Sequence, residues 1–421
     1  MANPFKKLFR ARDEPIERHP RNAVSQAMAF FFGSSSAGKN VTPRTSVQVS
    51  AVYACVRVLA ETVASLPLHL DRYMEGSGTE HARNNPLYYL LHDEPNSEMT
   101  SYVWRETGMT HLALWGNWYN QKVFNGRGEV IGLYPLLPEN VQVNRDENGQ
   151  IVYDYTNSNG TFRLYRDEVL HVPGMGFDGL VGYSPVAMMR NSLGLSIAAE
   201  EYGARFYANG ARPSGVLTHP GTLKEPAKVR DQWQKVYGGS SNTGKVAVLE
   251  EGLEYKPISM PNNEAQFLET RKFQVEEICR IYRVPPHMIA DLEHATYSNI
   301  EHQSISFAQY TIAPWCARIE QSMNRDLLKK ADKAKYTTHF NIDGIQRGSY
   351  QSRMEGYAKA IQNGWMSPND VRALENLSLL TDEQGGNTYA INGNMVSLKS
   401  LNMQSQVEPP VQEDKNENSQ L

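Results

Sequence analysis

The sequence is poor in cysteine, with only three among 421 residues. Cys55, Cys279 and Cys316 are odd in number, lie far apart and include no C-x-x-C pair. This pattern argues against a disulfide framework and against a zinc knuckle, because both need paired or closely spaced thiols. Each cysteine lies within a helical pattern, which predicts three buried thiols.

Long hydrophobic runs are also missing. No segment approaches the roughly 20 apolar residues that a membrane-spanning helix needs. The apolar cluster Ala29–Phe32 is too short for the core of a secretory signal and is followed by Gly and Ser. We therefore expect no membrane association and a protein that stays in the cytoplasm in which it is made.

An excess of positive charge is absent as well. The chain has 42 basic and 46 acidic residues, a net charge of −4 and a pI near 6.3. A tight DNA-binding protein gains most of its affinity by neutralising phosphates, so this balance disfavours a protein that grips nucleic acid. It does not disfavour a surface past which DNA slides.

The catalytic motifs that the sequence approaches are incomplete. Two stretches resemble the phosphate-binding loop G-x-x-x-x-G-K-[ST], but Asn40 follows Lys39 and Val246 follows Lys245, so each lacks the hydroxyl that holds magnesium. The nucleophile signature G-x-S-x-G also fails, because its last glycine is replaced, and Ser184 fits a helix N-cap better. We predict no cofactor and no enzymatic activity.

A clear helical pattern opens the body of the chain. Its apolar stripe comprises Val49, Val52, Val56, Leu59, Val63 and Leu66. The alternating spacing of three and four residues predicts one amphipathic helix, capped by Thr45 or Ser46 and ended by Pro67. A second helix is predicted around Met99 to Trp115.

The period then changes to that of β-strands. Between Asn120 and Val172 six short runs alternate with turn residues: QKVF, VIGLY, VQV, IVYDY, FRLY and EVLHV. Three Asn-Gly pairs begin at Asn125, Asn148 and Asn159, and such pairs readily adopt the positive φ of tight hairpins. The pattern predicts an antiparallel meander.

The second half is mainly helical, with two further strand-like runs, KVAVLEE and LEYKPISM. Ser184 and Pro185 begin one predicted helix, which ends at Asn209–Gly210. The other predicted helices cover Pro226 to Tyr237, Glu264 to Tyr282, about Ser298 to Lys335 with a kink at Pro314, Ile345–Asn363 and Ser367–Leu377.

A polar stretch between two of these helices contains three histidines. In YRVPPHMIADLEHATYSNIEHQ, His287, His294 and His302 are seven and eight residues apart. A metal-dependent nuclease or hydrolase that uses these histidines is one hypothesis. The zinc motifs H-E-x-x-H and H-x-x-E-H are absent, and this spacing does not place two ligands one helical turn apart. The alternative is a functional loop, stiffened at its entry by Pro285–Pro286.

Several stretches, in the same order, resemble the portal proteins (head–tail connectors) of tailed double-stranded-DNA bacteriophages, and most closely their compact siphophage and prophage branch. These are VYACVRVLAETVASLPLHL, PLYYLLHDEPNSEMTSYVWRE, GNWYNQKVFNGRGEVIGLYPLLPENV, GYSPVAMMRNSLGLSIAAEEYGARFYANGARPSGVL, GKVAVLEEGLEYKPISM and the histidine stretch itself. The resemblance extends from about Thr45 to Leu380. It implies a homo-oligomeric ring of about twelve subunits at one capsid vertex, through which DNA is packaged and ejected.

The resemblance also implies an α+β fold with named parts. The expected parts are a disordered tail at 1–40, a mixed wing at 41–221, stem helices at 222–283 with a small β clip at about 240–261, a tunnel loop at 284–299, the kinked wing helix at 300–344, a helical crown at 345–395 and a disordered acidic tail at 396–421.

Two groups of site residues follow from this assignment. The tunnel loop would contact passing DNA through His287, Met288, Asp291, Glu293, His294, Tyr297 and Asn299. The clip would dock the packaging motor through Lys245, Glu250, Glu251, Glu254 and Lys256. The implied partners are the terminase large subunit, the major capsid protein and a head–tail adaptor. The implied location is the virion, after assembly in the host cytoplasm.

Overall fold

A computed structural model describes residues 35–74, 78–208, 215–237, 248–249, 252–257, 264–292, 297–342, 345, 350–375 and 377–390. It divides into two compact units, Met1–Gly344 and Ile345–Leu421. No helix in these described ranges is long and apolar enough to cross a membrane.

The described residues form helices and short antiparallel strands. The helices are α1 Pro43–Ser46, α2 Ser50–Ser65, α3 Pro86–His92, α4 Ser101–Trp115, α5 Pro185–Met188, α6 Arg190–Ala208, α7 Pro226–Tyr237, α8 Glu264–Tyr282, α9 Tyr297–Phe307, α10 Ala313–Asp326, α11 Tyr350–Gln362 and α12 Pro368–Leu374. The strands are β1 Leu68–Tyr73, β2 Thr79–His81, β3 Asn117–Phe124, β4 Val130–Leu136, β5 Val141–Arg145, β6 Ile151–Asn157, β7 Gly160–Tyr165, β8 Val169–Pro173, β9 Gly215–Thr218, β10 Glu254–Pro257 and β11 Tyr336–Phe340.

Helix α2 forms the centre of the first unit. All six residues of its predicted apolar stripe are buried, because the helix packs against α4. The predicted cap was wrong: Val49 is the N-cap and offers no side-chain hydrogen bond, while Thr42 caps the separate helix α1. At the C-terminal end of α2, Arg105 donates two hydrogen bonds to the Ala64 carbonyl. These bonds satisfy one of the last carbonyls of the helix, which have no partner within it.

The six predicted strands between residues 117 and 173 are confirmed, and they form two three-stranded sheets. One sheet has the order β4-β3-β8 and the other β5-β6-β7. The turns confirm two of the three Asn-Gly expectations, with φ of +80° at Gly149 and +120° at Gly160. In the first hairpin the left-handed glycine is Gly128, two residues after the predicted Gly126, and its N–H donates to the Asn125 carbonyl.

The long helix predicted from about Ser298 to Lys335 is interrupted and shorter. A π-helical turn, Ala308–Ile312, separates α9 from α10, directly before Pro314. Proline lacks an N–H and its ring crowds the preceding turn, so the wider turn absorbs the disruption. Five of the six predicted stripe residues are buried, and only Trp315 is replaced in the buried face, by Cys316.

The chain after α10 forms a strand that the sequence pattern did not predict. Strand β11 pairs with β1, which in turn pairs with β2. Its residues Tyr336–Phe340 read YTTHF, too short a run to stand out beside a strong helical stripe.

The second unit contains helices α11 and α12. Ser367 caps α12 in a capping box with Asp370, and Pro368 is the first helical residue. Both helices match predicted ones, although residues 346–349, 376 and everything beyond 390, including the whole predicted acidic tail, lie outside the described residues.

The predicted N-terminal tail begins to pack earlier than residue 41. Ser35 is buried, the Ser36 N–H donates to Asn191 Oδ1 at 3.1 Å, and Lys39 Nζ lies 2.5 Å from Glu201 Oε2 on α6. Residues 35–40 are therefore part of the folded body, and of the predicted N-terminal tail 1–34 lie outside the described residues.

Candidate functional site: the helical arm and the channel segment

Helices α6 and α8 lie side by side and run antiparallel. The rings of Tyr202 and Phe267 are 6.0 Å apart, and Arg271 approaches Glu200 at 3.5 Å. The sequence-based assignment paired α8 with α7 as the two stem helices. The structure instead brings α8 against α6, where the aromatic pair and the ion pair join the two helices.

A small module connects these two helices. Strand β9 pairs with β10 in antiparallel register, from Thr218 opposite Glu254 to Gly215 opposite Pro257. Helix α7 packs on this ribbon, with Trp233 stacked on Tyr255 at 5.6 Å. Sequence reasoning assigned β9 to the wing and missed this pairing, since a four-residue run gives a weak strand signal.

Two of the five predicted docking residues lie within the described part of this module. Glu254 and Lys256 both lie on β10, where their charged groups are exposed and 3.2 Å apart. Lys245, Glu250 and Glu251 lie outside the described residues, as does most of the predicted strand KVAVLEE. Exposed ion pairs contribute little to stability, which leaves these charges available for recognition.

The far end of α8 is anchored in the core of the first unit. The Tyr282 hydroxyl donates to the Ala113 carbonyl at 3.3 Å, and the Sγ atoms of Cys55 and Cys279 are 4.0 Å apart. Burial raises the pKa of Tyr282. The pKa of Cys55 is also raised, first by its hydrogen bond with Cys279 and second by burial. All three cysteines are buried free thiols, as predicted.

The chain leaves α8 through two strained positions. Arg283 and Ala290 have φ of +56° and +66°, a left-handed conformation that is uncommon outside glycine. Between them Pro286–Ile289 form a 3-10 turn, and the Thr311 hydroxyl donates to the Arg283 carbonyl at 2.8 Å. The Thr311 hydrogen bond holds the start of the predicted tunnel loop against the π-helical turn.

His287 contacts two residues of α9. Its Nδ1 donates to Gln303 Oε1 at 2.8 Å, and its Nε2 lies 3.5 Å from Ser304 Oγ. His302 is exposed, while His294 and Glu293 lie outside the described residues. Within the described ranges no three His, Cys, Asp or Glu side chains form a group that could hold a metal ion.

The remaining predicted loop residues fall at its two ends. Met288 and Asp291 are half-buried, and the Asp291 N–H donates to the Pro286 carbonyl at 3.1 Å. Tyr297 begins α9 and Asn299 follows in its first turn. The loop is therefore braced by three side chains that sequence reasoning did not select, namely Gln303, Ser304 and Thr311. Nothing in the sequence marked them, because α9 contains many other polar residues.

The described residues form an α+β fold of helices and antiparallel sheets, with an antiparallel helical arm and a braced loop. The family model described as "Phage portal protein" matches residues 50–376. This chain belongs to the phage portal protein family, so the predicted family and α+β portal fold are confirmed.

Individual relatives agree. The chain is 38% identical over 371 residues to the "Probable portal protein" of Streptomyces phage phiC31, covering 83% of this chain and 79% of the relative. It is similar in fold to an HK97 family phage portal protein from Corynebacterium diphtheriae, with a TM-score of 0.54, 17% identity and coverage of 74% and 98%. A chain in the neck of a native GTA particle, solved with C12 symmetry, gives a TM-score of 0.53, 22% identity and coverage of 84% and 98%.

Proposed function

We propose that this protein is a portal subunit that assembles into a ring of about twelve copies at one capsid vertex. Double-stranded DNA would be packaged through this ring and later ejected from it. The observation that carries the proposal is the family match over residues 50–376. The twelvefold symmetry of the similar particle neck supports the copy number.

The parts of the structure suit the parts of such a ring. Residues 41–189 and 300–344 form the wing, with its sheets and the α9–α10 helix. The antiparallel pair α6 and α8 forms the stem, because these are the helices in mutual contact. The module of β9, α7 and β10 forms the clip, and the unit beginning at Ile345 forms the crown.

The clip carries the charges for docking. Glu254 and Lys256 are exposed on β10, and Lys245, Glu250 and Glu251 are close to them in sequence. We assign to this group the binding of the terminase large subunit during packaging, in the host cytoplasm. A head–tail adaptor then binds the completed portal vertex, and the wing contacts the major capsid protein.

The segment from His287 to Asn299 lines the narrowest part of the channel. Support comes from its bracing: the bonds of His287 and of Arg283 fix both its entry and its orientation on α9. Asp291 and Glu293 would repel phosphates mildly, and at −4 per chain a ring of about twelve carries on the order of −48, which opposes sticking of DNA.

Three experiments test this function. Negative-stain imaging of the purified protein should show rings with a central hole. In native mass spectrometry, a monomer near 47.5 kDa at all concentrations and salt conditions would contradict the proposal. In the phage, replacing residues 289–296 with a Gly-Ser linker should leave ring assembly intact while DNA packaging or retention fails. Normal infectivity of that phage would contradict the channel assignment.

A further inference from the structure

An apolar groove runs along the contact between α6 and α8, at the point where the described chain begins. Its volume is about 510 Å³, and it is lined by Ser36, Ala37, Asn191, Ser192, Leu195, Thr270, Phe273, Gln274 and Glu277. Leu195 is 52% exposed and Phe273 is 58% exposed, one from each helix. Two large apolar side chains side by side in a concave surface gain free energy when something covers them.

A buried amide in the same groove lacks a partner. Gln274 is 6% exposed, and no acceptor among the described residues reaches its Nε2. A buried donor without a partner is costly and rare in native proteins. The groove therefore offers an apolar surface together with one N–H donor, a combination that suits an extended peptide with apolar side chains and free carbonyls.

The start of the described chain is fixed at the edge of this groove. Ser35 is buried against Gly194, where a Cβ would collide with its hydroxyl, and the Ser36 N–H donates to Asn191. Lys39 pairs with Glu201 at 2.5 Å. Ser36 and Ala37 themselves line the groove, so the preceding residues leave from its rim.

The residues immediately before this point are unusually apolar. Ala29, Phe30, Phe31 and Phe32 precede Gly33 and Ser34 in a tail that is otherwise mainly polar. Phe32 is three residues from Ser35, and a chain spans at most roughly 3.5 Å per residue, so Phe32 lies within about 11 Å of it. The groove is within that reach, because Ser36 and Ala37 line it.

We propose that the α6–α8 groove binds the segment Ala29–Phe32 of the same chain. Its phenylalanine rings cover Leu195 and Phe273, and one of its main-chain carbonyls accepts the hydrogen bond of Gln274 Nε2. The segment would thereby complete the surface of the helical arm. This inference concerns a single chain and does not depend on ring assembly.

Cross-linking distinguishes this occupant from others. Leu195→Cys is combined in the full chain with Phe30→Cys, Phe31→Cys or Phe32→Cys and treated with a short bis-maleimide. The control replaces Ile131, which is also 52% exposed but lies on β4. We expect at least one Leu195 pair to link within one chain, retaining monomer mass on a denaturing gel. Links between chains, or no more linking than the Ile131 pairs, would overturn the proposal.

A second measurement uses stability. The variant F31S/F32S should lower the thermal midpoint by several degrees and speed amide exchange in α6 and α8, whereas F5S/F9S in the same tail should do neither. Gln274→Leu should destabilise the wild-type chain but stabilise or leave unchanged the F31S/F32S chain, because the amide then has no carbonyl to bind. Equal effects of Gln274→Leu in both backgrounds would contradict the predicted hydrogen bond.

Discussion

The wing core and the α6–α8 arm belong to one compact unit. They differ in how completely the chain covers the side chains compared below. In the wing, Asp326 is held by Arg166 at 2.7 Å and Arg325 at 2.8 Å, and its carboxylate is almost fully buried. On the arm, Tyr202, Leu268 and Phe273 are about half exposed. The Asp326 carboxylate is therefore satisfied within the chain, whereas these apolar side chains of the arm are left about half uncovered by it.

The largest expected effect tests the ion pairs of the buried Asp326 carboxylate. Asp326→Ala removes the acceptor of Arg166, Arg325 and the His171 N–H and leaves two guanidinium groups without their partner. Breaking a buried ion pair in this way costs about 3–5 kcal/mol. Denaturant unfolding measures the loss. Glu61→Gln, in an exposed pair with Arg57, should change stability by less than about 0.5 kcal/mol; equal effects would contradict the comparison.

A graded loss of stability is expected on acidification. Burial lowers the pKa of His171 to about 3, below its unfolded value of about 6.5. The unfolded state then binds more protons, so the stabilising contribution is complete above about pH 6.5 and is lost as the pH falls toward about 3. Thermal midpoints of wild type and His171→Gln between pH 7 and 4 measure it. The variant should show a shallower slope, and parallel slopes would contradict the assignment.

Packing in the wing gives the next effect. A Cβ at Gly108 on α4 would collide with the Trp118 ring, which itself stacks at a tilt on Trp104 at 4.7 Å. Gly108→Ala should therefore destabilise by about 1–3 kcal/mol through overpacking. Gly126→Ala is the matched control, since nothing lies within 4 Å of its Cβ position and its φ is not positive. A neutral Gly108→Ala would show that the wing core yields more readily than its packing implies.

The smallest effect on unfolding is expected on the arm. Leu268→Asp changes a side chain that is 57% exposed, so the stability of the isolated chain should change by less than about 0.5 kcal/mol. If neighbouring copies cover this surface, the same variant should reduce ring formation in native mass spectrometry. Ile131→Asp, at a comparably exposed position of β4, serves as the control. Rings of normal yield with Leu268→Asp would place the covered surface elsewhere.

Local patterns predicted local structure well. The stripe from Val49 to Leu66 required a helix buried on one face, and Ser184 followed by Pro185 marked a helix start that the structure confirms. The six strand runs were visible because their turns contain Asn and Gly at the positions where a hairpin reverses. Their division into two sheets was not visible, because β8 returns to pair with β3 across about 50 residues of chain.

The same distinction holds for the candidate site. Pro285–Pro286 and the seven- and eight-residue histidine spacing argued from sequence for a loop rather than a zinc motif. Which residues brace that loop could not be read from the sequence, because the partners of His287 lie 16 and 17 positions away. Likewise the pairing of β9 with β10 joins residues 36 positions apart at Thr218 and Glu254.

The sequence by itself determined the family, most of the helices, the six strands between residues 117 and 173, the acidic charge balance and the buried state of the three thiols. These follow from periodicity and composition, which act over a few neighbouring residues. Only the tertiary structure decided that α6, not α7, accompanies α8, that Cys55 meets Cys279 across 224 positions, and that residues 35–40 join the body. Such contacts depend on which surfaces fit together after the chain has folded, and sequence separation carries no record of that fit.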